Sequence, residues 1–181
     1  DNSWNRSDAI ALCPALPPSD STNPYVIATN LPPSSVIPAA QADATFCWQF
    51  NEPMQEQGSV VISQAGGGPL DLDDSQTGWN LESVDSGCPG GTPGNPVYFA
   101  KPAAPLPEGR SIVFSLFRME DLAGNRYSGD NPAGSPDAFD PDSAIGPLVS
   151  REFSTGGNLN LMCVAGLMQN PAMADPTLEI P

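Results

Sequence analysis

Histidine is absent from this chain of 181 residues, and lysine occurs once, as Lys101. Without histidine there is no Ser-His-Asp or Cys-His nucleophile pair, no imidazole base and no His-ligated zinc or copper site. Lysine and arginine total 6 against 21 acidic residues, for a net charge of -15. A nucleic-acid backbone or an anionic membrane surface would repel such a chain, so neither is expected as a partner. No apolar run reaches the roughly 18 residues needed to span a bilayer. The N-terminus lacks a basic region followed by an apolar core, so any secretion signal is expected to have been removed already. Close CxxC pairs are also missing, which argues against a zinc ribbon or a redox motif.

What is present is turn chemistry and short alternating runs. Gly 17 and Pro 22 make up about a fifth of the chain, high for a globular protein yet below the level of low-complexity disorder. The length suits a single domain with a real core. Apolar residues recur at period two in runs separated by Pro, Gly, Asn and Asp, the pattern of a β-sandwich or barrel. The runs are 24–30, a short extended piece at Val36 and Ile37, then 43–50, 59–63, 78–84, 96–100, 110–119 and 148–155. In DATFCWQF, Phe46, Trp48 and Phe50 share one face and Thr45, Cys47 and Gln49 the other, so the aromatic face is assigned to the core. Segments 66–68, 86–96 and 128–147 read as loops that cannot continue a strand. The last is long for a compact domain, which marks it as a functional loop or an insertion.

The four cysteines, Cys13, Cys47, Cys88 and Cys163, are even in number and widely spaced. Two disulfides in an oxidising compartment are expected, with buried reduced thiols as the alternative. Of the three pairings, Cys13–Cys163 with Cys47–Cys88 suits the layout, because the loop carrying Cys88 should lie near the Cys47 strand; the other two stay open.

Three motifs carry a family resemblance: TFCWQFNEPM (45–54), LPEGRSIVFSLFRMEDLAGN (106–125) and REFST (151–155). In this order they resemble the bacterial Ig-like domain first described in S-layer proteins. The resemblance covers residues 24–155 and implies an all-β, Ig-like antiparallel sandwich of about seven strands. It also implies a secreted or cell-surface bacterial protein with a structural rather than enzymatic role. The chain departs from that pattern in its acidic insertion 128–147, its cysteines and its extensions 1–23 and 156–181, both expected to be ordered. Read from the residues themselves, Asp121-Leu122-Ala123-Gly124-Asn125 is a structural turn. Pro53 ends a strand, Met54 folds over the core edge, and Glu52 is a solvated loop carboxylate.

Two acidic loops offer hard oxygen ligands: Asp71, Asp73 and Asp74 in one, and Asp137, Asp140 and Asp142 in the other. Calcium is the one cofactor such loops could take, but neither has the EF-hand register, and solvating surface charge is the plainer explanation. Paired carboxylates could in principle hydrolyse glycosides or peptides. Both clusters lie in Pro-rich loops rather than on rigid elements, so no enzyme activity is expected. Trp4 and Trp79 could stack on a glycan, whereas Trp79 opens a strand and fits better beneath a loop.

Chain ends usually lack a fixed place unless something holds them. The apolar run NLNLMCVAGLM (158–168), with Leu159, Leu161, Val164 and Leu167, does not suit a dangling tail. It could be held by a disulfide, or it could add as a strand to the open edge of a neighbour and link copies into a polymer. Val113 and Phe117, on the face opposite Ile112, Phe114 and Leu116, would otherwise be exposed and so mark an assembly surface. The expected function is a self-assembling subunit of a surface layer, filament or matrix. The rivals are a calcium- or glycan-binding adhesive module, contacting a glycan or a surface protein, and an accessory domain of a larger secreted enzyme.

Overall fold

A computed structural model describes residues 20–81, 88–131, 134 and 136–156. The described chain forms nine strands: β1 (Val26–Thr29), β2 (Val36–Ile37), β3 (Phe46–Phe50), β4 (Ser59–Gln64), β5 (Gly78–Asn80), β6 (Val97–Ala100), β7 (Ser111–Phe117), β8 (Ser143–Ile145) and β9 (Leu148–Thr155). Two single-turn 3-10 helices, at Ala39–Gln41 and Asp74–Gln76, are the only helical pieces among the described residues. One sheet has the order β1-β3-β6-β5, the other β2-β9-β7-β4, with β8 added beside β9. These are the ABED and CFG sheets of an immunoglobulin sandwich, with β2 as a short parallel addition to β9.

The core lies where alternation put it. Phe46, Trp48 and Phe50 of β3 are fully buried against Ile112, Phe114 and Leu116 of β7. Phe46 meets Phe114 edge to face at 4.9 Å between ring centroids, a geometry the ring quadrupoles favour. Trp48 belongs to the core, as its position in the strand requires, and Met54 closes its edge at 2% exposure.

Three features depart from the sequence reading. The 128–147 stretch does return to strand, as β8, because Ser143–Ile145 pairs with Ser150–Leu148; the dense Asp and Pro just before it hid a three-residue strand. The same stretch is no mere surface insertion, since Tyr127, at its border, and Phe139 are fully buried core residues. The outer face of β3 is buried too: Cys47 is 1% exposed and Gln49 0%. The cause is the segment 88–95, which folds back over that face. A Cys47–Cys88 disulfide fastens one end. The Gln49 carboxamide fastens the other, accepting from Thr92 N at 2.6 Å and donating to Thr92 O at 2.7 Å. Asn95 Nδ2 also donates to Phe50 O.

The expected Cys47–Cys88 pair is therefore formed. Cys13, Cys163 and most of both extensions lie outside the described residues, as do 82–84 of the expected fifth run. Val113 and Phe117 point outward and are half-buried, and the Arg118 guanidinium lies 5.2 Å from the Phe117 ring centroid.

Strand directions place the two ends of the sandwich at opposite poles. Val26 pairs with Phe50, Ser59 with Phe117 and Phe117 with Leu148, so β1 and β9 both start at one pole. Both run away from it. Thr155 N bonds Arg110 O, and Gly156 N bonds Ile37 O, at the other pole. We call these the proximal pole, where Asp20 arrives, and the distal pole, where Gly156 leaves.

Candidate functional site

The proximal pole gathers residues from three distant parts of the chain. The Asn51–Met54 turn ends β3, and the 121–125 turn follows β7; an isolated bridge joins Met54 to Asp121. Leu122 N donates to Pro53 O, and Gln55 Nε2 donates to Asp121 O, which locks the two turns together. Within its own turn, Asp121 accepts from Asn125 N and Asn125 Nδ2, both at 2.8 Å, and Gly124 supplies the left-handed φ of 91°. This is the structural turn expected from the sequence. Asn125 Nδ2 also donates to Asp20 O, which brings the segment before β1 onto the same site.

The result is a trio of carboxylates, Asp20, Glu52 and Asp121, with ligand oxygens within 4.8 Å of one another. Asp20 is exposed, Glu52 half-buried and Asp121 buried. Sequence reasoning treated Glu52 and Asp121 as separate local features and did not consider Asp20. No local signal unites positions so far apart; only the β-sandwich does. A hard divalent cation is the ligand that three converging carboxylates could hold.

The carboxylates singled out from the sequence are placed differently. Asp73 caps a 3-10 helix: its Oδ1 accepts from Ser75 N and Ser75 Oγ, and its Oδ2 from Gln76 Nε2. Those bonds, Ser75 foremost, hold its pKa below the ordinary value. Asp71 and Asp74 beside it are exposed. Asp137 is buried and is a staple. Its Oδ2 accepts from Val26 N at 2.9 Å, and its Oδ1 accepts from Phe139 N at 2.8 Å and the Tyr127 hydroxyl at 3.1 Å. Burial holds the Tyr127 pKa well up, so that hydroxyl keeps its proton. Asp140 is exposed and lies 3.8 Å from Arg151 Nη2, while Asp142 Oδ2 accepts from Glu152 N. Arg151 is itself buried, donating to Phe139 O and Pro33 O. Among the described residues, neither loop brings three ligand oxygens within 4.8 Å of one another.

Trp79 is half-buried, with its indole N–H donating to Gly58 O and its ring edge to face with Tyr98. A shallow cleft of about 310 Å³ beside it is lined by Ser75, Gln76, Thr77 and Phe99.

Glu52 and Asp137 share an electrostatic property. The Glu52 pKa is raised, chiefly by burial and also by the Asp121 and Asp20 charges, against a hydrogen bond from Asn51. The Asp137 pKa is raised by burial, against the bonds from Val26, Phe139 and Tyr127. The folded chain therefore takes up these two protons at higher pH than the unfolded chain does. Stability from both groups is gained as pH falls through the folded values toward the ordinary 4.5 and 3.8, and lost as pH rises. The melting temperature should climb on mild acidification from neutrality, and Glu52→Gln should flatten that climb. A Glu52→Gln profile parallel to that of the wild type would show that the trio does not set it.

No protein-family model, curated protein or solved structure matches this chain. No helix among the described residues is long and apolar enough to cross a membrane.

Proposed function

We propose that this protein is a non-enzymatic extracellular structural module, a self-assembling subunit of a bacterial surface layer, filament or matrix. The observation that carries this reading is the path of the chain. It reaches the sandwich at the proximal pole and leaves at the distal one, the layout that lets domains or copies follow one another in series. The Cys47–Cys88 disulfide fits an oxidising compartment, and the three sequence motifs supply the resemblance to S-layer-type domains. Assembly proceeds by donation of a terminal segment to a neighbour's sheet edge, which supplies its main-chain hydrogen bonds.

A calcium-dependent adhesive module is the second reading, favoured by the convergence of Asp20, Glu52 and Asp121. One experiment separates the two. Light scattering and negative-stain imaging, without reductant, compare the whole chain with versions lacking 1–19 or 157–181, each in calcium and in chelator. Assemblies lost on removing one segment, and indifferent to chelator, are expected. A monomer under all conditions whose melting temperature rises with calcium would overturn the assembly reading in favour of the second.

A further inference from the structure

The sheet edges are not equally closed. Along β1, Val26 N donates to Asp137 Oδ2 and Ala138 N donates to Val26 O, so the acidic loop seals that edge. Along β4, Leu70 N donates to Ile62 O and Gln64 N to Gly68 O, so the chain folds over its own edge there. Natural sheets close edges in this way against unwanted pairing.

β5 and β8 are different. Among the described residues, no main-chain hydrogen bond reaches Gly78–Asn80 from outside the β5–β6 pair, and no hydrogen bond reaches Ser143, Ala144 or Ile145 from outside the β8–β9 pair. The β8 edge is set apart by its surface. Beside this edge lies an apolar row. Ile145 pairs with Leu148, and Leu148 with Phe117. Their neighbours Leu116 and Val149 point into the core, so by strand alternation these three point out. Ile145 is 74% exposed and Leu148 38%. The row sits at the proximal pole, where β9 begins and β7 ends.

We infer that β8, with Ile145, Leu148 and Phe117, is the acceptor edge for residues 159–168 of a second copy. The inference rests on the assembly reading above and names the surface that reading needs. Three considerations select this occupant. Gly156, three residues before this segment in the sequence, lies at the distal pole. To reach Ile145 of its own molecule the segment would have to return along the whole of β9, about 26 Å for eight residues. A second copy stacked pole to pole presents its β8 directly ahead of the departing chain. In addition, residues 158–168 carry no charge. Two chains of net charge -15 repel, so a neutral apolar strand is the part of one that can best approach the acidic pole of the other. Read as a strand, Leu159, Leu161 and Leu167 share one face, ready to meet the apolar row.

The test uses the whole chain without reductant. Ile145→Asp and Leu148→Asp each place a charge on the row at exposed positions that leave the core intact, as circular dichroism would verify. Val61→Asp, on the same sheet face but at β4, is the control. Sedimentation velocity should show association weakened at least about tenfold by either row variant and unchanged by Val61→Asp. A photo-crosslinker at position 145, in a mixture of light and heavy-isotope chains, should capture residues 157–181 of the other chain. Capture within one chain overturns the second copy as occupant. Row variants that assemble like wild type, while removal of 157–181 abolishes assembly, overturn β8 as the acceptor and leave the assembly reading standing. A wild-type chain that stays monomeric overturns both.

Discussion

Replacing both cysteines of the Cys47–Cys88 bridge with alanine should lower stability by about 4 kcal/mol. The bridge closes a loop with a sequence separation of 41, and in the chain-entropy account a cross-link of that span removes about this much freedom from the unfolded state. The native state loses less. Both sulfurs are buried, and Gln49 continues to hold Thr92, so segment 88–95 stays on the outer face of β3 in the variant. The signature is a melting temperature lower by about 12 °C with unchanged far-ultraviolet dichroism. A loss below about 1 kcal/mol would mean that the unfolded chain is already compact around this loop, so that the cross-link removes little freedom. Adding Gln49→Ala to the double variant should then release the segment, seen as rapid amide exchange at Thr92.

Asp137→Ala should destabilise the fold by about 3 kcal/mol. The substitution strands three donors at once: Val26 N, Phe139 N and the Tyr127 hydroxyl. Each buried donor left without a partner costs roughly 1–3 kcal/mol. Against that stands relief from burying a carboxylate, the strain visible in its raised pKa. The net loss should show first at the edge of β1, as faster exchange of the Val26 and Phe139 amides. Phe139 packs edge to face on Trp48 at 6.2 Å, so a red shift in tryptophan emission should accompany it. Asp137→Asn should recover only part of the loss, because its amide nitrogen faces a donor where a carboxylate oxygen stood. An Asp137→Ala variant that melts with the wild type would mean that the acidic loop is not fastened at this point.

These two sites show where a sequence is readable and where it is not. Alternation in DATFCWQF and RSIVFSLFRM identified the core faces of β3 and β7, because a half-buried strand writes its burial in period two. Strand and loop order favoured the Cys47–Cys88 pair but left the other two pairings open, and the fold forms it. Gln49 and Asp137 escaped, for the same reason: each is a polar side chain buried by a segment far away in sequence, and a polar residue carries no sign of what will cover it. Asp137 was read as one of three cation ligands because Asp140 and Asp142 stand beside it. The fold instead turns it toward Val26, across 111 positions. Asp20, Glu52 and Asp121 show the converse, since nothing local in NEPM or DLAGN announces that they meet. β8 was missed because three residues between an Asp-Pro-Asp run and a Gly-Pro turn are too few to display a period.

The opposed poles also have a mechanical meaning. A pull applied between Asp20 and Gly156 acts along the strand axes, because β1 and β9 both run from the proximal to the distal pole. The parallel β2–β9 contact takes that load in shear: Ser154 N on Ser35 O and Gly156 N on Ile37 O lie across the direction of tension and have to yield together. The antiparallel β1–β3 pair is loaded the same way. A domain whose ends leave side by side opens like a zipper, one bond after another. In this sandwich, rupture along that axis requires several bonds to break at once.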